Sequence, residues 1–273
     1  TEAQAQPLAG ASRLLRSGLT QRLRDLAELL RHAPDVDPAA LASRWTRVAE
    51  HALSVDDPRV TPALAGVRLT RWLATPAVPR SERVEASARL ADLAARHLRD
   101  DAWVDSAVND AETGVGDLVL AASLEHVLSL VQQRRDAHDL EFAASLAREG
   151  CGDAVKGVVL LENMLPEVVV PLTRAYPTLL RVLDGMSAGV ATEILAQTPL
   201  EHGLVECLLP AATERAPALA LLPTVTEFSR ASLLSGRLAS GQQEYERKAF
   251  TEFAQSHSLG EVALFHKKGL DTS

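Results

Sequence analysis

The sequence predicts two kinds of architecture in one chain: an α-helical N-terminal domain over residues 1–150, then the opening of an α/β domain over residues 151–273. Early in the chain leucines recur every three or four positions, at Leu15, Leu19, Leu23, Leu26 and Leu30, which sets them on one helical face in need of a partner. Later the apolar residues gather instead in short runs bounded by turn residues, the grammar of buried strands. Between the two regimes lies a break at Gly150-Cys151-Gly152. The 273 residues carry 28 Lys+Arg against 36 Asp+Glu, a formal charge of −8, with 47% hydrophobic residues. That balance fits a folded chain and excludes wholesale disorder.

The helical elements follow in order. Asp37-Pro38 and Thr61-Pro62 each join an N-cap residue to a proline suited to the first helical position, so helices are expected after both. Val84 to Leu98 reads as an Ala/Leu/Arg helix, and Leu120, Leu124, Val127 and Val131 repeat the helical spacing. Packed helical hairpins are the natural outcome. After the break, a helix is expected over Glu162 to Ala175, with Pro166 near its start or at a kink. Strands are expected over Thr178–Leu183, Leu204–Leu209, Ala218–Leu222 and Glu261–Phe265, with a helix over Ala188–Gln197 between the first two. Strand, helix, strand in this rhythm predicts a parallel sheet.

Two places could carry chemistry. The run Leu-Leu-Arg-Val-Leu-Asp184-Gly185-Met186-Ser187 is an apolar strand ending on a carboxylate, then a turn and a helix. Ligands of open α/β sheets bind beyond the carboxyl ends of strands, where a carboxylate can hold a metal ion. The plainer reading is that Asp184 caps the next helix or serves the turn. The second place is Leu221-Leu222-Pro223-Thr224-Val225-Thr226 running into a helix that stops at Gly236. A hydroxyl at Thr226 would sit among unpaired backbone N–H groups at a helix start, a setting that suits phosphate or a developing alkoxide. Its plainer reading is a Thr N-cap.

Together, "LRVLDGMS" and "LLPTVTEFSRASLLSG" resemble the PglZ family of BREX phage-defence systems, within the alkaline phosphatase superfamily. "LLENMLPEVVVPL" and "ALFHKKGL" extend the resemblance over residues 158 to 270. It implies that residues 151–273 open an alkaline-phosphatase-like domain. It implies that Asp184 is a metal ligand and Thr226 the nucleophile, with Thr224 the less favoured hydroxyl because it lies closer to the strand. It further implies zinc or another divalent cation in a full-length parent, where two ions activate the hydroxyl and stabilise the leaving oxygen.

The chain also departs from that pattern. After Thr226 its Asp and His residues are His257, His266 and Asp271 alone, with no Asp-His pair, and Lys267 and Lys268 follow His266. One Asp cannot hold zinc, which takes three or four protein ligands. With no start Met and no natural-looking terminus, the chain is expected to be a piece of a longer protein, itself without cofactor and inactive.

Other features are set aside. Asp100, Asp101, Asp105, Asn109 and Asp110 are expected to form a solvated acidic face, because diphosphate chemistry wants an aromatic-lined cavity and aromatics make up 4%. Glu125-His126 are adjacent on a helix, about 100° apart, and lack the His-Glu-x-x-His geometry. Arg13, Arg16, Arg22, Arg24 and Arg31 are expected to be solvated rather than DNA-binding. There is no G-x-x-x-x-G-K-[ST] loop.

Two cysteines, Cys151 and Cys207, make no disulfide framework, and with no signal-peptide pattern the expected compartment is the cytoplasm. The apolar run Val158–Leu172 is interrupted by Glu162, Pro166, Glu167 and Pro171, so no membrane span is expected. The acidic balance argues against a general phosphate-backbone binder. What the resemblance implies is a PglZ-type, metal-dependent phosphoesterase or nuclease component, acting on DNA or a nucleotide beside other BREX components. A non-catalytic scaffold binding other defence proteins is the main alternative. A helical adaptor with an unrelated α/β domain is a third.

Overall fold

The computed structural model describes residues 6–75, 90–149, 157–209 and 212–266. The break at Gly150-Cys151-Gly152, residues 84–89 of the expected helix, Lys267, Lys268 and Asp271 lie outside the described residues. Two compact units are present. One comprises residues 1–87, 101–144 and 187–196, the other residues 88–100, 145–186 and 197–273.

Among its described residues the regular elements of the first unit are all helices. Its helices are α1 (Gln6–Ala11), α2 (Arg16–Leu30), α3 (Pro38–Ala49), α4 (Val60–Ala74), α6 (Ala102–Glu112) and most of α7 (Leu118–Glu149). Leu19, Leu23, Leu26 and Leu30 of α2 are fully buried, as their spacing predicts. Leu15 differs: it stands at the N-cap position and is 53% exposed. The α2 face packs with Leu41 and Val48 of α3, Leu69 of α4, Val104 of α6, and Leu120, Leu124, Val127 and Val131 of α7. Gly66 of α4 makes close approach possible, since a Cβ there would stand 2.6 Å from Leu124 Cδ2.

Capping is partly as expected. Asp37 accepts from the N–H groups of Ala39 and Ala40, both at 3.1 Å, and Pro38 opens α3. Thr61-Pro62 does not start its helix: α4 begins at Val60. Pro62 is tolerated because N–H groups of the first turn have no intrahelical acceptor to lose. The helix through Leu120–Val131 extends over 32 residues, and Asp117 caps it by accepting from Val119 and Leu120.

Two faces expected to be solvated are put to structural use. Arg22 is buried and donates to the carbonyls of Arg47 and Ala11, while Arg24 reaches Asp117 at 3.2 Å. Asp101 is turned inward and accepts from Trp72 Nε1 at 3.3 Å. Buried charge is tolerated where it is hydrogen-bonded.

The second unit holds α5 (Leu90–Arg96), whose residues continue in a π turn at His97–Asp101, and the strands β1 (Val159–Leu160) and β2 (Ala218–Leu219). These strands pair in parallel, Val159 with Ala218 and Leu160 with Leu219. A helical run covers Leu161 to Ala175 as a 3₁₀ turn, a π turn at Leu165–Val169 and α8 (Val170–Ala175). The irregularity follows from Pro166 and Pro171, which cannot donate to the helical ladder. Tyr176 leaves the helix in an extended conformation, as a residue before proline favours. Next come α9 (Ala188–His202), of which residues 188–196 belong to the first unit, then α10 (Thr226–Ser235) and α11 (Gln243–Ser256). Leu165, Val170, Leu233 and Phe253 form a core cluster within the second unit.

The expected parallel sheet is much reduced. Among the described residues the chain is mostly helical, and paired strands occur only at β1 and β2. Thr178–Leu183, Leu204–Leu209 and Glu261–Phe265 are irregular, and of Ala218–Leu222 only Ala218–Leu219 pairs. Apolar patterning alone does not make a strand: the ladder needs a neighbour on at least one side. Without one, Leu179 and Val205 stand 90% and 84% exposed.

Candidate functional site

Thr226 is the first residue of α10. Val225 occupies the N-cap with extended backbone and no side-chain cap bond. Thr226 is exposed and is the first helical residue rather than the N-cap, against the plainer reading of this residue. Thr224 is exposed as well. The helix stops where the sequence places its end. Gly236 is left-handed at φ 66°, and a Cβ there would meet Phe253 Cε2 of α11 at 2.5 Å. Ser232 is fully buried, and its hydroxyl both donates to the Ala239 carbonyl and accepts from the Ala239 N–H, each at 3.0 Å. That pair of bonds ties the residues after Gly236 back onto α10.

Asp184 sits in a turn with Gly185, whose φ is 71°. It does not cap α9. Ser187 does so, accepting from the Val190 N–H at 3.2 Å. The Asp184 carboxylate is 45% exposed, and its Oδ2 lies 4.0 Å from Nη1 of Arg230. Arg230 is four residues beyond Thr226, on the same face of α10. The two sequence motifs thus meet through Arg230.

Behind Arg230 is a buried carboxylate. Glu246 of α11 has no solvent exposure, and its Oε1 accepts from both Nε and Nη2 of Arg230, at 3.0 and 2.9 Å. Its Oε2 lies 2.8 Å from Nε2 of His266. A carboxylate only accepts, so Nε2 of His266 carries the hydrogen. Nδ1 is then left buried with no hydrogen-bond partner among the described residues. His257 is elsewhere engaged: it stacks on Phe253 at 4.0 Å, with Nδ1 2.9 Å from the Phe253 carbonyl.

Sequence reasoning did not single out Glu246. A signal was present, because Glu246, Ala249 and Phe253 share the i, i+3, i+7 spacing of the face that α11 buries. An acidic residue on an apolar stripe needs a cationic partner. The arginine of the Pro-Thr-x-Thr-x-x-x-Arg element supplies it.

Among the described residues, no group of three or more His, Cys, Asp or Glu side chains could hold a metal ion. The charged neighbour of Asp184 is a guanidinium rather than further ligands. The described residues do not fit zinc or a similar ion, which requires three or four donors. Cys207 is free and exposed. No helix of the described residues is long and apolar enough to cross a membrane.

Fold and site together define a mostly helical protein with a small parallel strand pair, in which a carboxylate, a helix-start hydroxyl and an anchored guanidinium occur in one unit. Compared with protein-family models, curated proteins and solved structures, the chain matches none.

Proposed function

We propose that this chain belongs to a PglZ-type, phosphoester-directed component of a BREX phage-resistance system, acting in the cytoplasm beside other BREX proteins on DNA or a nucleotide. In this reading residues 151–273 are the first half of an alkaline-phosphatase-like domain. Thr226 supplies the attacking oxygen, and Asp184 is a metal ligand in a longer parent. The observation carrying the proposal is the 4.0 Å approach of Arg230 to Asp184. It links the Asp-Gly-Met-Ser turn to the helix that Thr226 opens, and the exposure of Thr226 at that helix start supports it further. The divalent ion implied by the resemblance belongs, in this reading, to a longer parent.

The same contact also suits the scaffold alternative, in which Arg230 and Asp184 form a structural ion pair. Phage plating separates the two readings. Cells carry the parent protein as wild type, Asp184→Ala or Thr226→Ala, with both variants checked for expression and fold. Loss of protection in both variants supports the catalytic reading. Full protection by both defeats it and leaves the scaffold.

A further inference from the structure

We propose that Glu246, held by His266, is a positioning residue that fixes the Arg230 guanidinium as the anion-receiving group of the Thr226–Asp184 site. The inference rests on the phosphoester reading above and names the group that would meet the negative charge of such a substrate.

The geometry divides the guanidinium into two edges. Nε and Nη2 both donate to Oε1 of Glu246, at 3.0 and 2.9 Å. Nη1 points away from that contact and comes within 4.0 Å of Asp184 Oδ2. That distance is beyond a hydrogen bond, so Nη1 keeps donor capacity for another oxygen. The Arg230 side chain is 30% exposed while Glu246 is 0% exposed. The guanidinium therefore has one edge held by a buried carboxylate and the other beside the half-exposed Asp184, on a side chain that is only partly buried. Planar guanidinium forks recognise phosphate through fixed N–H directions, and anchoring one edge removes rotational freedom from the other. His266 acts one step further back. Its contact with Oε2 at 2.8 Å holds the carboxylate plane and leaves Oε1 to Arg230. The three residues come from α10, α11 and the segment after α11, so no local sequence motif specifies the arrangement.

The test titrates inorganic phosphate into the full 273-residue chain and reads binding by phosphorus NMR and calorimetry, with circular dichroism confirming the fold of each variant. The wild type should bind phosphate saturably, and Arg230→Ala should abolish binding. Glu246→Gln should weaken it by about tenfold, the scale of a lost charge-assisted contact. In an Arg230→Lys background, Glu246→Gln should have little further effect, because lysine offers no fork to position. That coupling separates positioning from a general loss of stability. Should Glu246→Gln fail to fold, His266→Asn gives the second measurement, with weakened phosphate binding expected. Wild-type phosphate affinity in folded Glu246→Gln or His266→Asn overturns the positioning role while leaving the phosphoester reading intact. Additive effects of Glu246→Gln and Arg230→Lys also overturn it. Absence of saturable phosphate binding by the wild type overturns the anion role of Arg230. Because binding is measured without turnover, it fails or holds independently of phage plating.

Discussion

Gly236 ends α10 directly against the Phe253 ring of α11, where an added Cβ would stand 2.5 Å from Cε2. The glycine also holds φ at 66°, a conformation in which other residues are strained. Gly236→Ala should therefore lower stability by about 1–3 kcal/mol, combining left-handed strain with overpacking. A thermal melt measures it, and an unchanged midpoint would contradict the packing described.

Asp37→Ala tests the start of α3. Two backbone N–H groups lose their acceptor, so unfolding by urea should show a loss of about 1 kcal/mol. The slope of the transition should stay constant, since the surface exposed on unfolding barely changes.

Acid stability depends on Asp57. The side-chain hydrogen bond from Arg59 holds its carboxyl below the ordinary carboxylate range, and the Arg59 backbone N–H assists, while burial opposes both. A depressed folded pKa gives stability that is present above the unfolded pKa, about 3.9. That stability is lost as pH falls through the lower folded value. Asp57→Asn should therefore flatten the stability profile below about pH 4. Chemical unfolding at a series of pH values checks this, and an acid limb as steep as that of the wild type would refute it.

The 273-residue chain should retain no stoichiometric zinc after incubation and gel filtration, and should hydrolyse no simple phosphoester. One exposed carboxylate beside a guanidinium lacks the donors that zinc needs. Elemental analysis showing one or two zinc ions per chain would contradict the assignment of ligands.

The helices were readable because burial repeats along them. Leu19, Leu23, Leu26 and Leu30 point to one core, and the spacing alone reveals it. Strand pairing is a relationship between distant segments, so Val159–Leu160 gave no local sign of its bond to Ala218–Leu219. The same limit applies at the candidate site. Asp184 and Thr226 stood out within their motifs, and Arg230 belonged to one of them. Glu246 and His266 gain their meaning only through Arg230 and through each other, across separate segments.

The irregular apolar runs described above have a consequence for handling the protein. Leu179, Leu183, Val205 and Phe265 present apolar side chains to water, and Leu179, Leu183 and Val205 do so on backbone that carries no sheet ladder. Such backbone can template intermolecular cross-β association. Solubility should thus fall steeply with concentration and with sulfate, which strengthens apolar burial. Charged replacements at Leu179 and Val205 should act as gatekeepers against precipitation without touching the helical core.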